Sequence, residues 1–168
     1  LVLLGILLYI SWAFRRTSAG PVRSWVLGVA TLIALVHDIF IVLGIFAILG
    51  RVAQIEVDSL FVTALLTVLG FSVHDTIVVF DRVRERLLTR SADSFEETVN
   101  ESVNQTLGRS LATSLTTLFV LVALWLFGGE AIRHFALALL IGITAGTYSS
   151  IFVASPLLVT WERLRSRR

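Results

Sequence analysis

The chain has 168 residues, of which 56% are hydrophobic and 15% charged, and its mean hydropathy is +0.88. This composition excludes an ordinary soluble domain and indicates an all-α, polytopic membrane helix bundle. The formal net charge is only +2, so it does not indicate nucleic-acid binding, and the absence of cysteine excludes disulfides, thiolate nucleophiles and cysteine-based metal sites.

The first apolar run covers residues 1–14 and ends at Arg15 and Arg16. A helix of this length extends only about 21 Å, which is short of the roughly 30 Å hydrocarbon core of a bilayer. A signal peptide would carry its positive charge before the apolar run, not after it. The run is therefore predicted to be the end of a spanning helix that begins before Leu1.

Two longer apolar runs follow at residues 25–49 and 59–80, separated by a short polar turn. Each is long enough to cross a bilayer as a helix, which takes about 20 residues. The next stretch, residues 93–108, is polar and predicts an amphipathic helix that Asp93 or Ser94 can cap. Its apolar side chains recur every four residues in one narrow stripe: Phe95, Val99, Val103 and Leu107.

Residues 110–127 and 135–160 complete a predicted bundle of five transmembrane helices, with the amphipathic helix lying along the membrane surface or against neighbouring spans. When the loops are counted alternately, all of the 14 arginines except Arg51 and Arg133 fall on one side of the membrane. The positive-inside rule assigns that side to the cytoplasm. The C-terminus is therefore predicted to be cytoplasmic.

Asp75 is the first candidate for function, because carboxylates inside a membrane usually mark ion or proton pathways. It lies about 9 Å along the helix from Asp81, where charged residues resume. Arg109 opens the next span from the same side and is the candidate partner, since a movable guanidinium would let a carboxyl group load and unload a proton. Two alternatives stay open: a structural, hydrogen-bonded Asp75, and an Arg109 that anchors the helix end at the lipid headgroups.

Hydroxyl side chains follow Arg109 along the same span. Ser110, Ser114 and Thr117 are spaced four and three residues apart, so they share one helix face that could solvate a water chain or a carboxylate. Packing through small residues is the alternative. In the last span Gly142, Gly146 and Ser150 recur every four residues and predict a groove in which another helix packs closely.

A second buried acid, Asp38, is either a member of the proton relay or a structural hydrogen-bond acceptor. It belongs to a His-Asp pair, His37 with Asp38, that repeats as His74 with Asp75. Both histidines are predicted to be hydrogen-bonded packing residues and not metal ligands. No His-Glu-x-x-His pattern is present, which argues against a metalloprotease.

Two stretches of the chain resemble the SecF family of bacterial protein-export membrane proteins. Residues 70–85 (GFSVHDTIVVFDRVRE) resemble the fourth transmembrane helix of that family, and residues 99–117 (VNESVNQTLGRSLATSLTT) resemble its cytoplasmic helix and fifth span. The five spans would then be the second to sixth of a six-helix half. An outer, periplasmic domain would precede Leu1, on the side from which the first helix is predicted to enter.

The resemblance implies a proton-motive-force-coupled subunit of the Sec machinery in the bacterial inner membrane, related to resistance-nodulation-division transporters. It implies an obligate SecD half, the SecYEG translocon and a preprotein substrate as partners, with YajC and YidC as further candidates. The proton-transport roles of that family carry over to Asp75 and Arg109, and Thr113 and Thr117 are further transfers to the relay. No cofactor, metal, nucleic acid or enzymatic activity is expected, since the proton gradient is the energy source.

Two alternatives to this function remain at the level of sequence. The helices could be a structural scaffold of the translocase, with buried charges that only hold the bundle together. They could also be half of a proton-driven lipid or drug exporter of the related superfamily. These alternatives are separated by substrate assay and by the effect of replacing Asp75 on assembly.

Overall fold

The computed structural model describes residues 2–13, 24–89 and 94–166, and all regular secondary structure in them is helical, which confirms the all-α expectation. The elements are α1 (Val2–Ala13), α2 (Ser24–Ala53), α3 (Ser59–Thr89), α4 (Phe95–Phe127), α5 (Glu130–Ser149), a π-helical segment (Ser150–Ala154) and α6 (Ser155–Ser166). Several residues used in the sequence predictions lie outside the described ranges: Leu1, Phe14, Arg15, Arg16, Arg23, Arg90, Asp93, Arg167 and Arg168.

Four stretches of helix in the described residues are long and apolar enough to cross a membrane: α2, α3, α4 and the continuous run from Ile132 to Ser166. Helix α1 is apolar but has only 12 residues. The length and composition of these helices therefore indicate a multi-pass membrane protein. Between α2 and α3 the chain turns at Gln54, which adopts a positive φ of 55° just after the last residue of α2.

The amphipathic helix and the fourth predicted span form one continuous helix, α4, so their prediction as separate elements is wrong. Ser94 caps this helix by accepting a hydrogen bond from the backbone N–H of Glu97 at 3.1 Å. The sequence suggests a break near Gly108, but an isolated glycine is tolerated in a helix. At 33 residues α4 is about 50 Å long, so it projects well beyond a bilayer core of about 30 Å.

Helix α3, with 31 residues, is also longer than the bilayer core requires, and polar side chains connect it to α4 near its C-terminal end. Arg86 forms an ion pair with Glu101. Arg82 donates a hydrogen bond from Nε to the side-chain oxygen of Gln105 at 2.7 Å. These contacts hold the projecting part of α3 against the first turns of α4.

The last predicted span, residues 135–160, is not a single regular helix. It is interrupted by the π-helical segment that begins at Ser150. Pro156 explains the interruption, because proline has no backbone N–H to donate and its ring collides with the carbonyl one turn earlier. The Ser155 hydroxyl donates to the Ser150 carbonyl at 3.0 Å, which satisfies a backbone oxygen in the widened turn.

The buried interior is divided into two apolar cores with a polar layer between them. One core contains Ala34 of α2, Phe80 of α3 and Ala154 of the π segment. The other contains Val42 of α2, Val68 of α3 and Ile143 of α5, the helix that continues into the π segment. Between these positions along the helices lie several buried polar residues, among them Asp38, Ser72, Asp75, Ser149 and Ser150.

Two glycines bring α5 close enough to α3 to align this polar layer. A Cβ atom added to Gly142 would lie 2.2 Å from Cγ2 of Val68, and one added to Gly146 would lie 3.0 Å from Cβ of Ser72. The two backbones can approach this closely only because neither position carries a side chain. Ser149 and Ser150, at the end of α5 and the start of the π segment, consequently reach the carboxylates of α2 and α3.

Candidate functional site

Asp75 is buried, with 7% of the residue exposed, and both of its carboxylate oxygens accept hydrogen bonds from serines. The hydroxyl of Ser110, on α4, donates to Oδ1 at 2.5 Å. The hydroxyl of Ser150, at the start of the π segment, donates to Oδ2 at 2.5 Å. Buried polar atoms are normally hydrogen-bonded, and the two serines supply a partner for each oxygen of this buried carboxyl group.

A cavity of about 40 Å³ lies beside Asp75. It is lined by Phe71, His74, Asp75, Val78, Arg109, Ser110 and Thr113. A water molecule needs a cavity of at least about 10–15 Å³ and two or more polar partners. The volume and the polar side chains of this cavity meet both conditions, so the cavity beside Asp75 is large and polar enough to hold a water molecule.

Arg109 lines the same cavity as Asp75, so the two predicted relay residues lie at the same depth in the bundle. It makes no hydrogen bond or ion pair to the residues that the structure describes. Its side chain is exposed in this chain. Arg109 and Val78 also line a second cavity of about 430 Å³, which includes Asp81, Arg82 and Glu85 near the projecting ends of α3 and α4. The guanidinium therefore stands between the cavity at Asp75 and a charged cavity toward the end of the bundle.

Only one of the two threonines named from the sequence lies in the Asp75 cavity. Thr113 lines it. Thr117 is one turn further along α4, where its hydroxyl donates to the backbone carbonyl of Thr113 at 2.9 Å and does not line the cavity. Their roles in the relay stay predictions.

The predicted hydroxyl face of α4 contacts two different neighbours. Ser110 donates to Asp75, and Ser114 shares a hydrogen bond of 2.5 Å with Thr147 of α5. The third member of that face, Thr117, bonds to its own helix. The face therefore combines a bond to the carboxylate with a polar contact between helices.

Asp38 lies in the same polar layer but does not line the Asp75 cavity. The residue is fully buried, and its Oδ2 accepts hydrogen bonds from Ser72 at 2.6 Å and from Ser149 at 2.8 Å. Its Oδ1 is 3.2 Å from Nδ1 of His37. Whether Asp38 takes part in proton transfer stays a prediction that these contacts do not decide.

The two histidines of the repeated pair occupy different surroundings. His37 contacts the carboxylate of its neighbour Asp38. His74 is exposed and lines the Asp75 cavity, but both oxygens of Asp75 are engaged by serines. Across the described ranges, no group of three or more histidine or acidic side chains could hold a metal ion.

Four serines donate hydrogen bonds to Asp38 or Asp75, and the sequence analysis predicted such a contact for only one of them, Ser110. Ser72 and Ser149 are not singled out by any motif, and Ser150 is predicted only as a small residue for helix packing. The sequence does contain a signal: Ser72 lies one turn before Asp75 on α3, and Ser149 and Ser150 are consecutive hydroxyl residues in the last span. A buried hydroxyl needs a hydrogen-bond partner, and a buried acid is an available acceptor besides the backbone carbonyls of the same helix.

Replacing Ser110 with alanine is expected to lower the stability of the folded bundle by about 1–3 kcal/mol, because Oδ1 of the buried Asp75 loses its donor. Ser102→Ala is the matched control, since Ser102 is equally buried on the same helix but donates only to the carbonyl of Thr98. The measurement is thermal unfolding of the full-length protein in lipid. Equal losses in the two variants would contradict a specific contribution of the bond to Asp75.

Comparison with known proteins identifies relatives over nearly the whole chain. A family described as "Protein export membrane protein SecD/SecF, C-terminal" matches residues 1–164. The protein translocase subunit SecF of Thermobaculum terrenum is 61% identical over 159 residues, which are 95% of this chain and 49% of that protein. The SecF subunit of Synechocystis is 49% identical over 98% of this chain and 49% of its own length.

A solved structure supports the same relationship. A crystal structure of SecDF in a super-membrane-facing form superposes with a TM-score of 0.84 at 44% identity, covering 98% of this chain and 21% of the SecDF chain. The chain spans about half the length of the SecF relatives named above. At this identity the likeness extends beyond the fold, and the chain belongs to the SecD/SecF C-terminal family of protein export membrane proteins, with relatives that are SecF subunits.

Proposed function

We propose that this chain is the membrane part of a proton-motive-force-coupled SecF subunit of the bacterial Sec export machinery, with Asp75 as its proton-binding group. The observation that carries the proposal is the buried carboxylate of Asp75 at a cavity that can hold water, with Arg109 on the same cavity wall. Intramembrane acids of this kind are typical of proton pathways. The proposal involves no enzymatic activity and no cofactor.

In the proposed cycle Asp75 binds a proton from the outer side and releases it inward. When Asp75 is ionised, its charge attracts the guanidinium of Arg109 across the shared cavity. When Asp75 is protonated, that attraction disappears and Arg109 turns toward the acidic side chains Asp81 and Glu85 of the adjoining cavity. Protonation would thus be converted into a displacement of charge between two cavities.

The proton gradient supplies enough free energy for such a movement. One elementary charge moved across 100 mV is worth about 2.3 kcal/mol, which is sufficient to bias two conformations of a helix bundle strongly. We propose that the bias acts between this half and a SecD half whose own acid faces Asp75. The resulting motion would be transmitted to an outer domain that helps to pull preproteins across the membrane.

The proposed partners and location come from the family. The matching crystal structure is of SecDF, which supports a SecD half as the partner of this chain. SecYEG and the preprotein follow as proposed partners, with YajC and YidC as further candidates. The proposed location is the inner membrane with a cytoplasmic C-terminus, as the arginine distribution predicts.

A structural role is the second candidate, and one observation favours it. Both oxygens of Asp75 are satisfied by serine hydroxyls from other parts of the fold, as is expected of a carboxylate that fastens helices together. Under this alternative, loss of Asp75 would reduce assembly and export together. No observation on the described residues favours a lipid or drug exporter.

The deciding experiment measures preprotein export by vesicles that contain the complete SecD and SecF complex with the translocon. We expect export to be faster when a proton gradient is imposed, and inward proton flux to accompany it. Equal export with and without the gradient, in vesicles whose complex is intact by co-purification, would support the scaffold instead. Gradient-driven efflux of a lipid or drug without effect on preprotein would support the exporter.

A further inference from the structure

We propose that Ser155, the first residue of α6, is a positioning residue for the candidate site. Its hydrogen bond to the backbone carbonyl of Ser150 fixes the width of the π turn and thereby keeps the Ser150 hydroxyl on Asp75. Ser155 is buried and acts on Asp75 through Ser150. The contact is a property of the fold, and only its importance for transport rests on the proposed function.

The Ser150 hydroxyl has two acceptors within reach. It lies 2.5 Å from Oδ2 of Asp75 and 3.0 Å from the backbone carbonyl of Thr147. A hydroxyl group has a single hydrogen to donate, and a serine inside a helix commonly donates it to a carbonyl three or four residues earlier. The bond to Asp75 therefore depends on where the backbone holds Ser150, because a displaced serine keeps its local acceptor and loses the distant one.

The hydrogen bond that Ser155 makes is specific to the widened turn. Its hydroxyl donates to the carbonyl of Ser150, five residues earlier, at 3.0 Å. In a regular α-helix a serine reaches a carbonyl three or four residues earlier, as Ser102 does with Thr98. Pro156 opens the turn, since it lacks a backbone N–H and its ring collides with the carbonyl four residues before it. The proline thus opens the turn, and Ser155 fixes how far it opens.

The π turn joins two pieces of helix that are each held by the rest of the bundle. Before the turn, α5 packs closely on α3 at Gly142 and Gly146. After it, Ala154 and Leu158 are fully buried in one apolar core with residues of α1, α2 and α3. One extra residue in a turn rotates the helix that follows by about 100°, so the width of the turn decides which side chains face that core. A change of width is absorbed between these two anchors, where Ser150 lies.

Asp38 provides an internal comparison for this role. Its ligand Ser149 is the last residue of α5, on the side of the turn that is packed against α3. Its other hydroxyl ligand, Ser72, belongs to α3 itself. Neither contact passes through the widened turn. Loss of the Ser155 hydroxyl should therefore disturb Asp75 and leave Asp38 unchanged, whereas a general loosening of the bundle would disturb both.

The test follows the carboxyl ¹³C NMR signals of Asp75 and Asp38 in the full-length complex in lipid at one fixed pH, with each signal assigned by its loss in the corresponding Asp→Asn variant. We expect Ser155→Ala to shift the Asp75 signal in the same direction as Ser150→Ala and by a smaller amount. The Asp38 signal should stay in place. Ser102→Ala is the matched control and should move neither signal, because Ser102 is a buried serine that donates to its own helix.

Two outcomes would overturn the positioning role: an unchanged Asp75 signal in folded Ser155→Ala, or equal shifts of the Asp75 and Asp38 signals. If Ser155→Ala does not assemble, Ser155→Thr replaces it, since threonine keeps the hydroxyl donor. We expect that variant to retain the wild-type Asp75 signal. A shift as large as the one in Ser150→Ala would then overturn the role.

Export by the same variants separates the positioning role from the proposed function. If both hold, Ser155→Ala reduces the stimulation of export by the proton gradient. Adding Ser155→Ala to Ser150→Ala then causes no further loss, because the two changes remove the same contact, and full additivity would contradict the positioning role. Normal proton flux in Asp75→Asn would refute the proposed function and would leave the NMR test of the contact unaffected.

Discussion

Proton flux through the complete SecD and SecF complex is expected to fall to background when Asp75 is replaced by asparagine. Asparagine has the shape of aspartate, and its carbonyl oxygen can still accept a hydrogen bond from Ser110 or Ser150. It cannot bind or release a proton at any physiological pH. The variant therefore removes the proposed proton carrier while keeping most of the contacts that hold α3 against its neighbours.

The measurement is gradient-driven proton uptake by vesicles, with assembly of the complex checked by co-purification and preprotein export recorded in parallel. Glu56→Gln is the matched control, because Glu56 is an exposed acid in the loop between α2 and α3 and lies outside both cavities. Normal flux in assembled Asp75→Asn would rule out Asp75 as the carrier. Loss of flux that merely tracks loss of assembly would favour the structural role.

The sequence predicts the class of the fold well because the membrane simplifies the problem. An apolar run long enough to span a bilayer must satisfy its backbone internally, so hydropathy alone locates α2 and α3. Asp75 and Arg109 are found for a related reason, since charge within or beside such a run is rare. The structure places both on one cavity, although they form no ion pair and Asp75 accepts hydrogen bonds from serines instead.

The serine ligands of Asp38 could not be predicted from the sequence, because these contacts depend on which helix faces meet in the fold. Ser72 and Ser149 resemble any small residue in an apolar helix until the fold brings them to Asp38. The interruption after Ser149 is different, since Pro156 is visible in the sequence and its effect on the preceding turn is general. Helix α4 continues through Gly108 because a single glycine disfavours a helix by only about 1 kcal/mol relative to alanine.

Close packing between α3 and α5 determines whether the polar layer forms at all, and Gly142→Ala is expected to disrupt it. The new Cβ would lie 2.2 Å from Cγ2 and 2.7 Å from Cγ1 of Val68, which is buried. Overpacking of this kind typically costs about 1–3 kcal/mol and occasionally more. Because α5 leads directly into Ser149 and Ser150, its displacement would also loosen the hydrogen bonds to Asp38 and Asp75.

Thermal unfolding of the full-length protein in lipid measures this effect, and Gly44→Ala is the matched control because a Cβ at Gly44 meets no atom within 4 Å. We expect the control to retain full stability, since alanine is the better helix former at an open position. Combining Gly142→Ala with Val68→Ala removes both clashing methyl groups and should restore part of the lost stability, giving a favourable coupling in a double-mutant cycle. Strictly additive losses at the two positions would show that α3 and α5 do not meet there, and the alignment of serines with the two carboxylates would then need another cause.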